Sequence, residues 1–115
     1  MTDDCIFCKI VKGNIPAKIV FKDDKVVAFE EINPQAPVHI LIVSTKHIPT
    51  LLDLTEEDEK LVGYMHTVIN QIAAEKSLNE SGFRLVANCK EDAGQEVFHI
   101  HIHMLGGRKF GWPPG

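Results

Sequence analysis

Apolar residues in this chain recur at two spacings, and each change of spacing marks an element. Ile6, Phe7, Ile10 and Val11 follow a helical period and predict a short N-terminal helix, ended by Gly13-Asn14 and Pro16. Ile19 to Phe21 and Val26 to Phe29 read as short strands, joined as a hairpin through Asp23-Asp24. Asn33-Pro34-Gln35-Ala36-Pro37 cannot continue a ladder, because proline lacks the donor. Val38 to Val43 follows as a third strand, and its Ile40-Leu41-Ile42-Val43 run predicts burial on both faces. After a connection from Ser44 to Asp53, Leu61, Met65, Val68, Ile69 and Ile72 form the apolar stripe of one long helix, from Thr55 to Lys76. Thr55 and Asp58 have the spacing of a capping box, and the acidic first turn suits the helix dipole. Asn79 to Gly82 ends that element. Phe83 to Ala87 predicts a fourth strand, Asn88 to Gly94 a polar loop, and Glu96 to Leu105 a fifth strand stopped by Gly106-Gly107.

Three strands, a long helix and two more strands, with short links inside each group, predict an α+β fold. It has a five-stranded antiparallel sheet, one long helix and a short N-terminal helix. No repeat, low-complexity segment or linker interrupts the 115 residues, so one domain spanning 1–115 is expected.

The fifth strand carries the most distinctive chemistry. His99, His101 and His103 alternate with Ile100, Ile102 and Met104. At a period of two, the apolar residues face a core, and the histidines form a row on the other face with neighbours about 7 Å apart. Half of the chain's six histidines fall within the five residues 99–103. Such a row can bind a metal, bind a phosphate, or attack one.

Composition narrows the classes. An apolar fraction of 44% and a charged fraction of 24% are ordinary for a globular protein. A formal net charge of -4, from 16 acidic and 12 basic residues, argues against a nucleic-acid tracker, which needs a basic surface. The N-terminus, Met1-Thr2-Asp3-Asp4, is acidic and no long apolar run occurs, so neither signal peptide nor membrane span is expected and the default location is cytoplasmic. Three cysteines without a secretion signal point to reduced thiols or metal ligands rather than a disulfide framework. Cys5 and Cys8 have the C-x₂-C spacing typical of zinc, a short motif whose alternative reading is two buried free cysteines.

The run His-apolar-His-apolar-His-apolar-apolar resembles the signature of the histidine-triad family of nucleotide hydrolases and transferases. Phe29 to Leu41, Gly94-Gln95 and Trp112-Pro113-Pro114 also resemble that family, and the likeness runs from about Cys5 to the C-terminus. The nearest branch is the nucleotide-binding one that hydrolyses nucleoside phosphoramidates. The resemblance implies two subunits joined in a ten-stranded sheet. It also implies a purine nucleoside monophosphate derivative as ligand, with no nucleic acid, no membrane and no organic cofactor.

It further implies roles for single residues. His101, the middle histidine, attacks phosphorus; His103 hydrogen-bonds the phosphate oxygens; His39 supports the row from another strand. Imidazole suits this work, being uncharged near neutrality with two nitrogens that do different jobs. Ile6, Phe7, Ile10, Phe29 and Ile32 match the apolar walls around the base, though each reads equally well as plain core. Glu31 stands where the family usually has an aspartate gripping the ribose hydroxyls. Asn88 and Gly94 match sugar and phosphate contacts. Glu96 stands where many eukaryotic members have a serine near the leaving group. Trp112 matches a residue that reaches the partner subunit's site. His47 and His99 match positions that complete a Cys₂His₂ set with Cys5 and Cys8, which implies one structural zinc per chain. Cys89 has no role in this scheme, and neither has His66, which lies on the long helix.

Three readings compete with a covalent phosphoramidase. The histidine row could hold a catalytic metal. The chain could be a dinucleoside polyphosphate hydrolase or nucleotidyl transferase of a sister branch. It could also be a nucleotide sensor without turnover.

Overall fold

The sheet is built from five antiparallel strands in the order β1-β2-β3-β5-β4. In the computed structural model, which describes residues 4–115, a short helix α1 (Ile6–Val11) leads into β1 (Ile19–Lys22), β2 (Val26–Glu30) and β3 (Val38–Ser44). Two single 3₁₀ turns, Leu51–Asp53 and Glu56–Asp58, precede the long helix α2 (Glu59–Glu75). Then come β4 (Phe83–Val86), a short helix α3 (Lys90–Ala93) and β5 (His101–Gly106). Met1, Thr2 and Asp3, the start of the acidic N-terminus, lie outside the described residues. Among the described residues, no helix is long and apolar enough to cross a membrane.

The two faces of the sheet follow from the period-two alternation. Val26, Ala28, Ile40, Ile42, Ile102 and Met104 point to one side and pack against Met65, Val68, Ile69 and Ile72 of α2. Val27, Phe29, Leu41 and Val43 point to the other side, where Phe7 and Ile10 of α1 cover them. The central strands are thus apolar on both faces, as the unbroken run in β3 predicts. The helix α2 packs over the central strands on one face, whereas α1 is a short lid over part of the other. The remainder of the α1 face is where the histidines stand.

The structure corrects several boundaries. The predicted helix from Thr55 to Lys76 divides into a 3₁₀ turn and α2. Thr55 and Asp58 do form a capping box, but around the 3₁₀ turn. Asp58 also accepts from Lys46 Nζ at 2.7 Å, which ties the start of α2 to the end of β3. The predicted polar loop Asn88 to Gly94 contains α3, which ends at Gly94 with φ +80°, a conformation that favours glycine.

The main correction concerns the fifth strand, predicted from Glu96 to Leu105. It begins only at His101. The β3–β5 ladder closes at the Val43–His101 pair; by the same register Ser44, the last residue of β3, stands opposite Ile100, and no β3 residue stands opposite His99. The Ile100 N–H donates instead to the Ile48 carbonyl at 2.8 Å. The buried Gln95 side chain accepts from the Lys90 N–H and donates to the carbonyls of Pro49 and Val97. The segment 96–100 is therefore laced to the β3–α2 connection, and His99 leaves the row that the alternation predicts.

Candidate active site and metal centre

His101 and His103 both project from β5 onto the α1 face, with ring centroids 5.0 Å apart. His39 enters from β3, where register pairs it with Leu105 and pairs Leu41 with His103. His39 and His103 are therefore diagonal neighbours, a separation that long side chains bridge. Their rings meet, with His39 Nε2 3.0 Å from His103 Nδ1.

The hydrogen bonds around these rings place their protons. The Gln35 main-chain N–H donates to His39 Nδ1 at 3.1 Å, so His39 carries its proton on Nε2. That proton is donated to His103 Nδ1, and His103 in turn carries its own on Nε2. His101 is wired the opposite way. Its Nδ1–H donates to the His99 carbonyl at 2.7 Å, which leaves a lone pair on Nε2. One histidine thus offers a nucleophilic nitrogen and its neighbour a donor. Phe7 holds the His101 ring edge-on at 5.0 Å and packs against Phe29 at 5.6 Å.

Burial keeps these imidazoles neutral. It pushes His103 down to about 4, with the neighbouring His101 and His39 adding to the effect and the Glu31 carboxylate opposing it. His39 and His101 are lowered by the same burial, with Glu31 again opposing. Glu31 is half-buried, and its Oε2 accepts from the Asn33 N–H at 3.1 Å.

Cys5, Cys8, His47 and His99 converge at a second centre on the same face. Cys5 Sγ lies 3.2 Å from His99 Nδ1, Cys8 Sγ 3.2 Å from His47 Nδ1 and 3.5 Å from His99 Nδ1, and the two Nδ1 atoms are 3.2 Å apart. A tetrahedron with Zn–S near 2.3 Å and Zn–N near 2.0 Å has N···S edges of about 3.5 Å and an N···N edge of about 3.3 Å. The four atoms therefore fit such an ion. His99, 0% exposed, donates Nε2–H to the Ser44 carbonyl at 2.6 Å, which turns its Nδ1 lone pair toward the thiols. Burial, then the hydrogen bond and charge of Cys5, push the Cys8 thiol up to about 11. Two buried thiols gain from a cation that favours their ionised form.

The remaining sequence-nominated residues scatter around these centres. Phe7, Ile10 and Phe29 are buried in the α1 cluster, while Ile6 is half exposed and Ile32 is 89% exposed. Asn88 is half-buried just after β4, and Gly94 is exposed at the end of α3. Glu96 is exposed and lines a cleft of about 430 Å³ with Cys5, Ile6, His47 and Phe98. That cleft borders the Cys/His centre, and His101 and His103 do not line it. Trp112 is 83% exposed. Cys89 is half-buried beside α3, and His66 is exposed on α2.

Sequence reasoning missed three groups that orient the imidazoles: the Gln35 N–H, the His99 carbonyl and the Ser44 carbonyl. All are main-chain atoms, which every residue has, so residue types carry no signal for them.

Residues 4–110 match the family model described as scavenger mRNA decapping enzyme C-term binding. The chain is 48% identical over 111 residues to the purine nucleoside phosphoramidase of Escherichia coli, covering 96% of this chain and 93% of that protein. A HIT family hydrolase from Legionella pneumophila superposes with a TM-score of 0.96 at 47% identity, covering 97% of this chain and all of that one. A histidine triad nucleotide-binding protein from Candida albicans superposes with a TM-score of 0.82 at 29% identity, covering 96% and 83% of the two chains.

Proposed function

The chain belongs to the histidine-triad (HIT) family, and on that footing we propose that it hydrolyses purine nucleoside phosphoramidates, or the related aminoacyl-adenylate anhydrides, through a nucleotidyl-histidine intermediate. The observation that carries this reading is the proton placement on β5. His101 Nδ1 donates to the His99 carbonyl, so its Nε2 lone pair is free, and His103 next to it has a proton to give.

The first step forms a bond between His101 Nε2 and the α-phosphorus and breaks the bond from phosphorus to the leaving nitrogen or oxygen. The leaving group departs with the electron pair and takes a proton, supplied by solvent if it does not already carry one. His101 gains positive charge, and its Nδ1–H bond to the His99 carbonyl stabilises that charge. His103 Nε2–H is a donor for the phosphate oxygens. In the second step water attacks phosphorus and sheds a proton to solvent, the nitrogen–phosphorus bond breaks, a nucleoside monophosphate leaves, and the lone pair returns to Nε2. Dividing one displacement into two lowers each barrier.

Around this centre, Glu31 takes the ribose hydroxyls, and Asn88 and Gly94 take sugar and phosphate. Ile6 and Ile32 are the solvent-facing members of the base wall, with Phe7, Ile10 and Phe29 as its floor. Glu96 lies toward the leaving group. Cys5, Cys8, His47 and His99 would hold one zinc, whose chemistry there is structural, because four protein ligands leave no open position. A cytoplasmic setting would keep those thiols reduced. The residues 1–115 act as one domain, and two chains pair so that Trp112 of each reaches the other's site. The solvent-exposed indole supports that pairing.

Intact-protein mass spectrometry after brief mixing with an adenosine phosphoramidate tests the central step. A mass increase of one nucleotidyl group, lost in His101→Ala, is the expected result. Turnover with no adduct at any time, abolished by a chelator, would overturn the covalent reading in favour of a catalytic metal.

A further inference from the structure

Two clusters of metal-ligating side chains share the α1 face of the sheet, and their protons are placed in opposite senses. In the first, Cys5, Cys8, His47 and His99, the buried His99 spends its Nε2–H on the Ser44 carbonyl and presents a bare Nδ1 to the cluster. In the second, Glu31, His39 and His103 bring one ligand atom each to within 4.8 Å of one another. Two histidines and a carboxylate are a donor set that holds divalent transition metals with positions left open. The 3.0 Å between His39 Nε2 and His103 Nδ1 equals the edge of about 3 Å spanned by adjacent ligands at right angles with metal–nitrogen bonds near 2.1 Å. By donor set and spacing, this triangle is a ready metal site in the middle of the histidine face.

Its proton placement says otherwise. The Gln35 main-chain N–H points at His39 Nδ1. An amide cannot reverse its polarity, so Nδ1 must accept, and the single ring proton sits on Nε2, inside the triangle. We propose that the Gln35 amide acts as a metal-excluding device, holding a proton on His39 Nε2 where a metal would have to bind and so keeping the Glu31–His39–His103 triangle metal-free.

Ligation through His39 Nε2 would require that proton to move or leave. If it moved to Nδ1, two N–H groups would face each other across 3.1 Å. If it left, an imidazolate would form beside the Glu31 carboxylate. A ligating imidazole ordinarily turns its second nitrogen, as a donor, to a carbonyl or carboxylate. His99 has that acceptor and His39 has a donor in its place. An opposed, partly buried donor pair weakens metal binding on the order of tenfold to a hundredfold. The outcome is discrimination between neighbouring sites. Metal goes to the cluster that pins α1 to the β3–α2 connection, and the histidines that would meet a phosphate keep their proton and their lone pair.

The test uses the full chain, stripped of metal, ¹⁵N-labelled, reloaded with one equivalent of zinc and then titrated with excess zinc. Long-range ¹H–¹⁵N spectra should show the Nε2–H tautomer at His39 and at His103, unmoved by several further equivalents. Gln35→Pro removes the N–H but keeps the carbonyl that Arg108 binds. That variant should take up a second zinc, seen as shifts at His39 and His103, ten to a hundred times more tightly than the parent chain. A proton found on His39 Nδ1, or a second zinc that shifts both imidazoles of the parent chain at near-stoichiometric concentration, overturns the proposal. A folded Gln35→Pro chain with no gain in second-site affinity also overturns it. If far-UV circular dichroism shows that Gln35→Pro does not fold, the parent spectra decide alone. No arm reads turnover, so failure here leaves the hydrolase reading standing.

Discussion

His39 Nε2 lies 3.0 Å from His103 Nδ1, although the two residues are 64 positions apart and not opposite each other in the β3–β5 register. This diagonal contact is the last link of a chain that begins at the Gln35 amide and ends with a proton on His103 Nε2. A main-chain group of fixed polarity thereby sets what a side chain two residues beyond the middle histidine can donate.

Replacing His101 should separate binding from chemistry. His101→Ala removes a side chain that faces Phe7 and His103, outside the α2-side core, so the fold should persist. Nucleotide binding measured by calorimetry should change little, whereas kcat should fall by several orders of magnitude, as when a nucleophile is lost. His101→Gly should recover measurable turnover with added imidazole. Near-normal turnover in His101→Ala, with His103→Ala inactive, would show that His101 is not the nucleophile.

Metal should stabilise the fold through the Cys/His centre. Protein purified without chelator should contain one zinc per chain by elemental analysis. Its thermal midpoint should drop on chelation and return with zinc, since a metal bound only by the folded state stabilises it by mass action. Cys8→Ala should lose the metal and the chelator response together. Full zinc occupancy in Cys8→Ala would refute this ligand set.

Acid should destabilise the chain before its carboxylates titrate. His103 has its proton affinity lowered to about 4 in the fold, against 6.5 when unfolded. Between these values the unfolded chain binds a proton that the folded chain does not. Its contribution is therefore complete above pH 6.5 and is lost as pH falls toward 4. The slope from one such group is at most about 1.4 kcal/mol per pH unit, and less here because His103 is only half-buried and solvent screens it. Urea midpoints at pH 7 and pH 5 should differ, and His103→Asn should reduce the difference. An unchanged slope in that variant would mean that other groups carry the acid response.

Light scattering should give twice the mass of one chain. Trp112→Ala should change the folding stability by no more than about 0.5 kcal/mol, as for an exposed residue in a monomer, if no partner covers the indole. A larger loss that depends on protein concentration is the expected result, together with reduced turnover. A monomer with full activity would exclude a cross-subunit role.

The strands and the long helix were legible because their burial is periodic. β2 and β3 are apolar on both sides since both faces of the sheet are covered, and α2 shows one stripe because it lies on one face. The alternation at His99 to Met104 reads identically throughout, yet it is strand only from His101 onward. A period of two is a local property, whereas a ladder needs a partner, and by register no β3 residue stands opposite His99. His99 therefore turns from the row into a buried corner with Cys5, Cys8 and His47. The Cys/His set was nominated only through family resemblance, because the C-x₂-C spacing does not say which distant histidines approach it.

Residue types and their spacing thus determined by themselves the α+β class, the two apolar faces and the concentration of imidazole on one strand. Which nitrogen of each imidazole bears the proton was decided only by the tertiary structure. An imidazole is symmetric enough to serve as nucleophile, donor or ligand, and its neighbours choose among these. At His101 the choice falls to the His99 carbonyl, at His99 to the Ser44 carbonyl, and at His39 to the Gln35 amide. Those partners are main-chain groups whose direction depends on where the folded backbone passes, a quantity that no side-chain pattern encodes.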